Sequence, residues 1–196
     1  MEFMKVSLNQ FAEDFWSCYD EWKLKPTFGF KDINTDDVVK MYNNIQLPRR
    51  GTRMSAGYDF FFPHDLQISA GQLIKIPSGI RWRGSYGRFA EHIRDKVICS
   101  LILMPRSSYV LKGVTLGNSV FMIDADYFNA KNQGDIMVFL KNTSNSMQTI
   151  KAQTGYMQGT IVPVFLVDGD SYDNKDLPIR TGGVGSTTNE ETKDEK

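Results

Sequence analysis

The sequence is poor in the residues that most often carry metal or nucleophilic chemistry: its 196 residues include two cysteines and two histidines. His64 and His92 stand at no metal-ligand spacing to each other or to a cysteine, which argues against a protein-held zinc site. Neither is placed beside an elbow-like serine, so a Ser-His-Asp arrangement has no support. His64, following Pro63, reads as a surface loop residue. Cys18 and Cys99 lie far apart in apolar surroundings, the pattern of buried thiols in a reducing compartment. Charge of one sign is missing too: Lys plus Arg and Asp plus Glu both number 23. With no basic excess there is no footprint for a nucleic-acid polymer, and a small anion held by a local cluster fits better. No apolar run approaches the roughly 20 residues of a membrane span. The opening MEFMKVSLNQ lacks the pattern of a secretory signal. The expectation is a soluble, cytoplasmic protein without a membrane partner.

What is present is mostly β-pattern. The start is the exception: Ser7-Leu8-Asn9-Gln10 makes a capping box, with Val6 placed to staple onto Phe11. Leu8, Phe11, Phe15, Cys18, Tyr19 and Trp22 then share one helical face, with Pro26 and Gly29 closing the helix. A second short helix is expected from Thr35 or Asp36 to about Tyr42, with Asp36 and Asp37 at its positive end. From Gln46 onward short strands alternate with turns: 58–62, 66–68, 73–76, 80–83, 97–104, 136–140, 147–150 and 160–167, with a polar stretch over 84–95. This predicts an all-β antiparallel sandwich or barrel rather than a doubly wound sheet. No strand–GxxxxGK–helix unit occurs, so P-loop chemistry has no support. The expected organisation is a single domain over 1–188. It comprises a helical extension (1–45), a β core (46–179) and a glycine-rich arm (180–188), followed by a disordered tail (189–196).

Chemistry concentrates in Pro105–Tyr127. Pro105 ends an apolar strand, since it fixes φ and cannot donate to a ladder. Arg106, Ser107 and Ser108 then offer a guanidinium and two hydroxyls suited to phosphate oxygens. Leu116-Gly117-Asn118 and Val120–Ile123 read as a hairpin with the Asn118 amide near its tip. Period two sets Asp124 and Asp126 on one face if the strand stays regular that far. Taken singly these are a turn, a hairpin and a solvated Asp-x-Asp. In this order they support a nucleoside polyphosphate site. The later Gly182-Gly183-Val184-Gly185 reads from spacing as a flexible linker, with closure over phosphates as the alternative.

Five segments in order resemble the trimeric all-β dUTP diphosphatase (dUTPase) family, in the version common in Firmicutes and their phages. They are Ser55–Asp59, Pro105–Ser108, Gly117-Asn118 through Tyr127, Gln158 ahead of Ile161-Val162-Pro163, and Arg180 with Gly182–Thr187. The resemblance spans about residues 46–188. It implies a distorted jelly-roll or β-clip fold and hydrolysis of dUTP to dUMP and pyrophosphate with Mg²⁺, at sites shared within a homotrimer. Carried over residue by residue, it makes Asp124 the base that activates water. Tyr127 packs under the deoxyribose, while Asn118 and the backbone at Met122 and Ile123 read uracil. Arg106, Ser107, Ser108 and Gln158 hold phosphates, Arg180, Gly183, Ser186 and Thr187 arrive on the arm, and Asp59 meets Mg²⁺ through water. Three positions depart from the family pattern: Phe121 for glycine, Gly155 for a basic residue, and Val184 for the phenylalanine that covers the base. They imply a reshaped uracil pocket, a lost arginine and weaker closure. Two other readings stand beside hydrolysis: a nucleotide-binding regulatory protein and a dCTP deaminase. The deaminase would need a glutamate where this chain has Ile136–Leu140.

Overall fold

A computed structural model describes residues 1–29, 31–84, 97–172 and 174–183. Its centre is β6 (Val97–Pro105), flanked by β11 (Gly155–Phe165) and β8 (Phe121–Ile123), with β2 (Tyr58–Phe61) beyond β11. The near-continuous apolar run of β6 suits a strand walled in by neighbours, and Leu101 and Leu103 are fully buried. Pro163, which has no N–H to give a ladder, stands opposite Cys99 in the part of β11 that, among the described residues, pairs with β6 alone. A second sheet runs β4 (Leu73–Pro77), β9 (Met137–Asn142), β7 (Val114–Leu116). Two strand pairs complete the fold: β3 (Leu66–Ile68) with β10 (Gln148–Ile150), and β1 (Glu2–Lys5) with β5 (Ile80–Arg83). Every pairing is antiparallel, and none of the sheets closes into a barrel among the described residues.

The extension is built into this core. Strand β1, which the sequence reading missed, adds to β5 through Glu2↔Arg83 to Lys5↔Ile80. Helix α1 (Leu8–Glu21) starts at Ser7, whose hydroxyl accepts from the Gln10 amide, and buries Phe11, Phe15 and Cys18. The reciprocal half of the expected capping box is made by another residue. The Ser7 N–H donates to Gln133 Oε1 at 2.9 Å, and Gln133 Nε2 donates to Ser7 Oγ at 3.0 Å. Pro26 and Gly29 do not close α1. They belong to a separate 3-10 turn, Lys25–Phe28, capped by Gly29 in the left-handed region (φ 68°). Helix α2 (Thr35–Asn43) carries a full Asn34/Asp37 capping box. His64 is not a free surface residue: its ring lies 4.8 Å from that of Phe28, and burial pushes its pKa down to about 4. The expected tail, together with Val184, Ser186, Thr187 and His92, lies outside the described residues.

Candidate active site

The residues singled out from sequence fall into separate groups. The first lies just past the end of β6. Pro105 is the last residue of the strand, and Arg106 caps a single helical turn, α3 (Ser107–Val110), which leaves Ser107 and Ser108 exposed. The Arg106 side chain is held from two sides. Its Nε lies 3.5 Å from Asp59 Oδ1, and its Nη1 donates to the Gly155 carbonyl at 3.4 Å. A β-bulge between Gly155 and Met157 shapes this corner, the usual device for re-aiming a strand beside a site. It also accounts for one departure from the family pattern. A Cβ at Gly155 would come within 2.5 Å of Arg106 Nη1, so glycine here makes room for the guanidinium. Gln158 pairs across from Asp59 on β2, and Gly57 leaves space for it: an added Cβ would meet Gln158 Oε1 at 2.8 Å.

The second group follows β8. Asp124 does not continue the strand; it caps a 3-10 turn, Ala125–Asn129, so the expected strand alternation fails there. Both carboxylates still face one cation. Arg180 Nη1 lies 2.8 Å from Asp124 Oδ2 and 3.8 Å from Asp126 Oδ1. The guanidinium also sits 5.0 Å from the Tyr127 ring centroid. Tyr127 is buried, and its hydroxyl donates to the Asp135 carbonyl at 2.8 Å. Burial first raises its pKa to about 12, so the phenol stays a donor. The turn is pinned from behind by Arg81, which donates to the Phe128 carbonyl at 2.7 Å and lies 3.6 Å from that ring's centroid. Gly84 presses on it too, since a Cβ there would meet Ala125 Cβ at 2.7 Å. Asp124 and Asp126 open onto a cavity of about 280 Å³, with Leu166, Tyr172 and Leu177 on its other walls.

The third group is the turn between β7 and β8. It reverses tightly, with Ser119 N–H donating to Leu116 O and φ 63° at Ser119, and it exposes Asn118. It is not a ladder-paired hairpin, because β7 pairs with β9 and β8 with β6. Along β8, Ile123 is buried and Met122 is exposed. Phe121 is partly buried, its ring edge-on to Phe139 at 6.4 Å. The phenylalanine that replaces glycine thus packs toward the core on the opposite pleat from Met122. The arm is described as far as Gly183, and Lys131 N–H donates to Thr181 O at 3.1 Å.

One chain does not unite these groups. Asp124 follows Ile123, the partner of Leu101, and so comes level with Ser100, whereas Arg106 lies just past the other end of that strand, six residues on, about 20 Å away at strand rise. Sequence reasoning named Asp124, Arg106, Asp59 and Gln158 but missed the pairing of Arg180 with both aspartates. It also missed Asp135, the acceptor beneath Tyr127, for which no local pattern gave a signal.

Known proteins resemble this chain over most of its length. The dUTPase family model matches residues 43–158. The deoxyuridine 5'-triphosphate nucleotidohydrolase of Lactococcus lactis is 34% identical over 155 residues, covering 77% of this chain and 95% of that protein. The protein of the same name from Hahella chejuensis is 34% identical over 76% of this chain and 90% of its own length. Among solved structures, dUTPase from Streptococcus mutans superimposes with a TM-score of 0.54 at 33% identity, covering 70% of this chain and 98% of that one. With the family model spanning more than half the sequence, this chain belongs to the dUTPase family.

Proposed function

We propose that this protein hydrolyses dUTP to dUMP and pyrophosphate, with Asp124 activating the attacking water at a site assembled between three copies of the chain. The observation that carries this reading is the state of Asp124. It is a half-exposed carboxylate at the head of a rigid turn, beside a sugar-sized aromatic and facing an arginine 2.8 Å away. A carboxylate within reach of a water is the minimal general base, and Arg180 stands where it can hold that carboxylate in place. Tyr127, tethered through its hydroxyl to Asp135, offers a fixed surface under the sugar, where a 2′-hydroxyl would clash. Asn118 and the backbone around Met122 and Ile123 present the polar groups that would pair with the uracil edge. Such a site rejects mismatched edges, because polar groups that a bound base covers without pairing lose their water and gain no partner.

Arg106, Ser107, Ser108 and Gln158 form the phosphate end, and the arm residues Arg180, Gly183, Ser186 and Thr187 would close over it. The separation of about 20 Å along β6 between Asp124 and Arg106 supports a shared site, since a copy of the chain can bring its phosphate end to another's aspartate. A closed three-fold ring repeats that contact three times. Mg²⁺ fits the donor set only as a solvated ion. Among the described residues no three His, Cys, Asp or Glu side chains group to hold one, and Asp59 is already engaged by Arg106, so Asp59 would meet the ion through its water shell. When bound, Mg²⁺ neutralises phosphate charge. The protein's own residues position the nucleotide and take the proton from water. Cytoplasmic residence accords with this substrate, and no described helix is long and apolar enough to cross a membrane.

The test is pyrophosphate release from dUTP, with dTTP, dCTP and UTP alongside. Asp124→Asn is expected to lower kcat by about 10²–10⁴-fold, the range for loss of a general base, while nucleotide binding persists. Unchanged turnover in that variant would remove Asp124 from the reaction.

A further inference from the structure

Behind Tyr127 lies a cluster that the hydrolytic reading does not use. Asp135 is fully buried and makes contacts on three sides. Its Oδ1 accepts from the Gly79 N–H at 2.9 Å and from the Ser78 hydroxyl at 3.3 Å. Its carbonyl accepts from the Tyr127 hydroxyl at 2.8 Å and from Asn132 Nδ2 at 3.0 Å. On the third side it meets Asp14 of α1, within hydrogen-bonding reach. Taken as two carboxylates, the pair leaves Asp14 Oδ2 and Asp135 Oδ2 buried with no donor. Two unsatisfied anionic oxygens side by side in a protein interior are strongly unfavourable. One proton removes the conflict, turning a repulsive contact into a donor–acceptor pair.

We propose that Asp14 and Asp135 share a single proton, and that this dyad clamps the N-terminal helix to the segment supporting Tyr127, making Asp135 a positioning residue for the sugar-sensing ring. The surroundings favour the protonated pair. Burial pushes Asp135 well above the ordinary carboxylate range, with Asp14 adding to the rise, and burial likewise raises Asp14. Glu13 on α1 lies near Asp14, as does Cys18, whose thiol burial lifts to about 12. Tyr127 and the buried Tyr156 are neutral neighbours from the core, and among the described residues Lys75 on β4 is the cation acting against the rise at Asp14. Gln133, two residues before Asp135, independently holds the start of the same helix through its two bonds to Ser7. The extension is thereby fastened to the 125–135 segment at both Ser7 and Asp14.

The sign of the linkage follows. A carboxyl held protonated in the fold contributes stability that is complete below the ordinary carboxylate value and is lost as pH rises through its raised folded value. The direct test is ¹³C-carboxyl NMR of aspartate-labelled protein across pH. One carboxyl of the dyad is expected to stay protonated well above the ordinary range, and Asp14→Asn, whose amide donates permanently, should abolish that late titration. If Asp14 and Asp135 both ionise in the ordinary range, the shared proton is refuted. The positioning role rests on the proposed dUTP site and is read separately, as the dUTP-to-UTP ratio of kcat/KM. Asp135→Ala should lower that ratio several-fold, and Asp135→Asn, which keeps an acceptor for Gly79 and a donor for Asp14, should restore it. A ratio that is unchanged in Asp135→Ala, or not restored in Asp135→Asn, would contradict the role. Because the carboxyl titration needs no substrate, it can fail or succeed independently of the assigned activity.

Discussion

At the scale of single residues, two of the altered positions, Gly155 and Phe121, explain themselves through packing. Gly155 stands where a basic residue is common, and the Arg106 guanidinium occupies the space a side chain there would take. Since the clashing atom is the far end of a flexible side chain, Gly155→Ala should shift Arg106 more than it disturbs the fold. The expected result is a several-fold rise in KM for dUTP with a loss of stability of no more than about 1 kcal/mol. Steady-state kinetics beside thermal unfolding checks this. Phe121 follows the same logic: its ring meets Phe139, while the exposed Met122 occupies the other pleat. The substitution therefore adds core contact without filling the face that Met122 presents.

Among the secondary-structure elements, α1 is the informative one. Its apolar stripe and its Ser7 cap were legible because helical period and capping chemistry are local. Its partners were not, because Gln133, 126 residues away in sequence, supplies the bond that Gln10 was expected to make. Strand β1 was missed for the same reason: four residues, Glu2–Lys5, become a strand only because β5 offers an edge. The β7–β8 reversal was legible from Gly117-Asn118, whereas the assignment of its arms to different sheets depends on neighbours distant in sequence. Asp124 and Asp126 were recognisable as a pair, but the 3-10 turn that seats them, and Arg180 between them, are tertiary facts. Ser7→Ala should destabilise the fold by about 1 kcal/mol for the lost cap, with an added penalty because the Gln133 amide also loses its acceptor. Urea unfolding of Ser7→Ala, Gln133→Ala and the double variant should give a double loss smaller than the sum of the two single losses, the mark of a shared contact.

On the scale of the whole molecule, the extension and the β core behave as one packed body, and His64 reports on their contact. Its imidazole lies against Phe28, just beyond α1, and burial pushes its pKa down to about 4. A histidine depressed in this way contributes stability that is present above its ordinary value of about 6.5. That stability is lost as pH falls toward about 4. Thermal unfolding across this window should show a steeper loss for the wild type than for His64→Gln.

The proposed assembly is the remaining whole-molecule question, and the separation of Asp124 from Arg106 along β6 makes it testable. The most direct measurement mixes two inactive variants, Asp124→Asn and Arg106→Ala, by co-refolding, and assays dUTP hydrolysis. If each site takes its aspartate from one chain and its phosphate arginine from another, random mixing leaves about a quarter of the sites intact, and activity returns to about that fraction of wild type. If both variants form mixed oligomers and no activity returns, the two groups act within one chain and the account of a shared site is wrong.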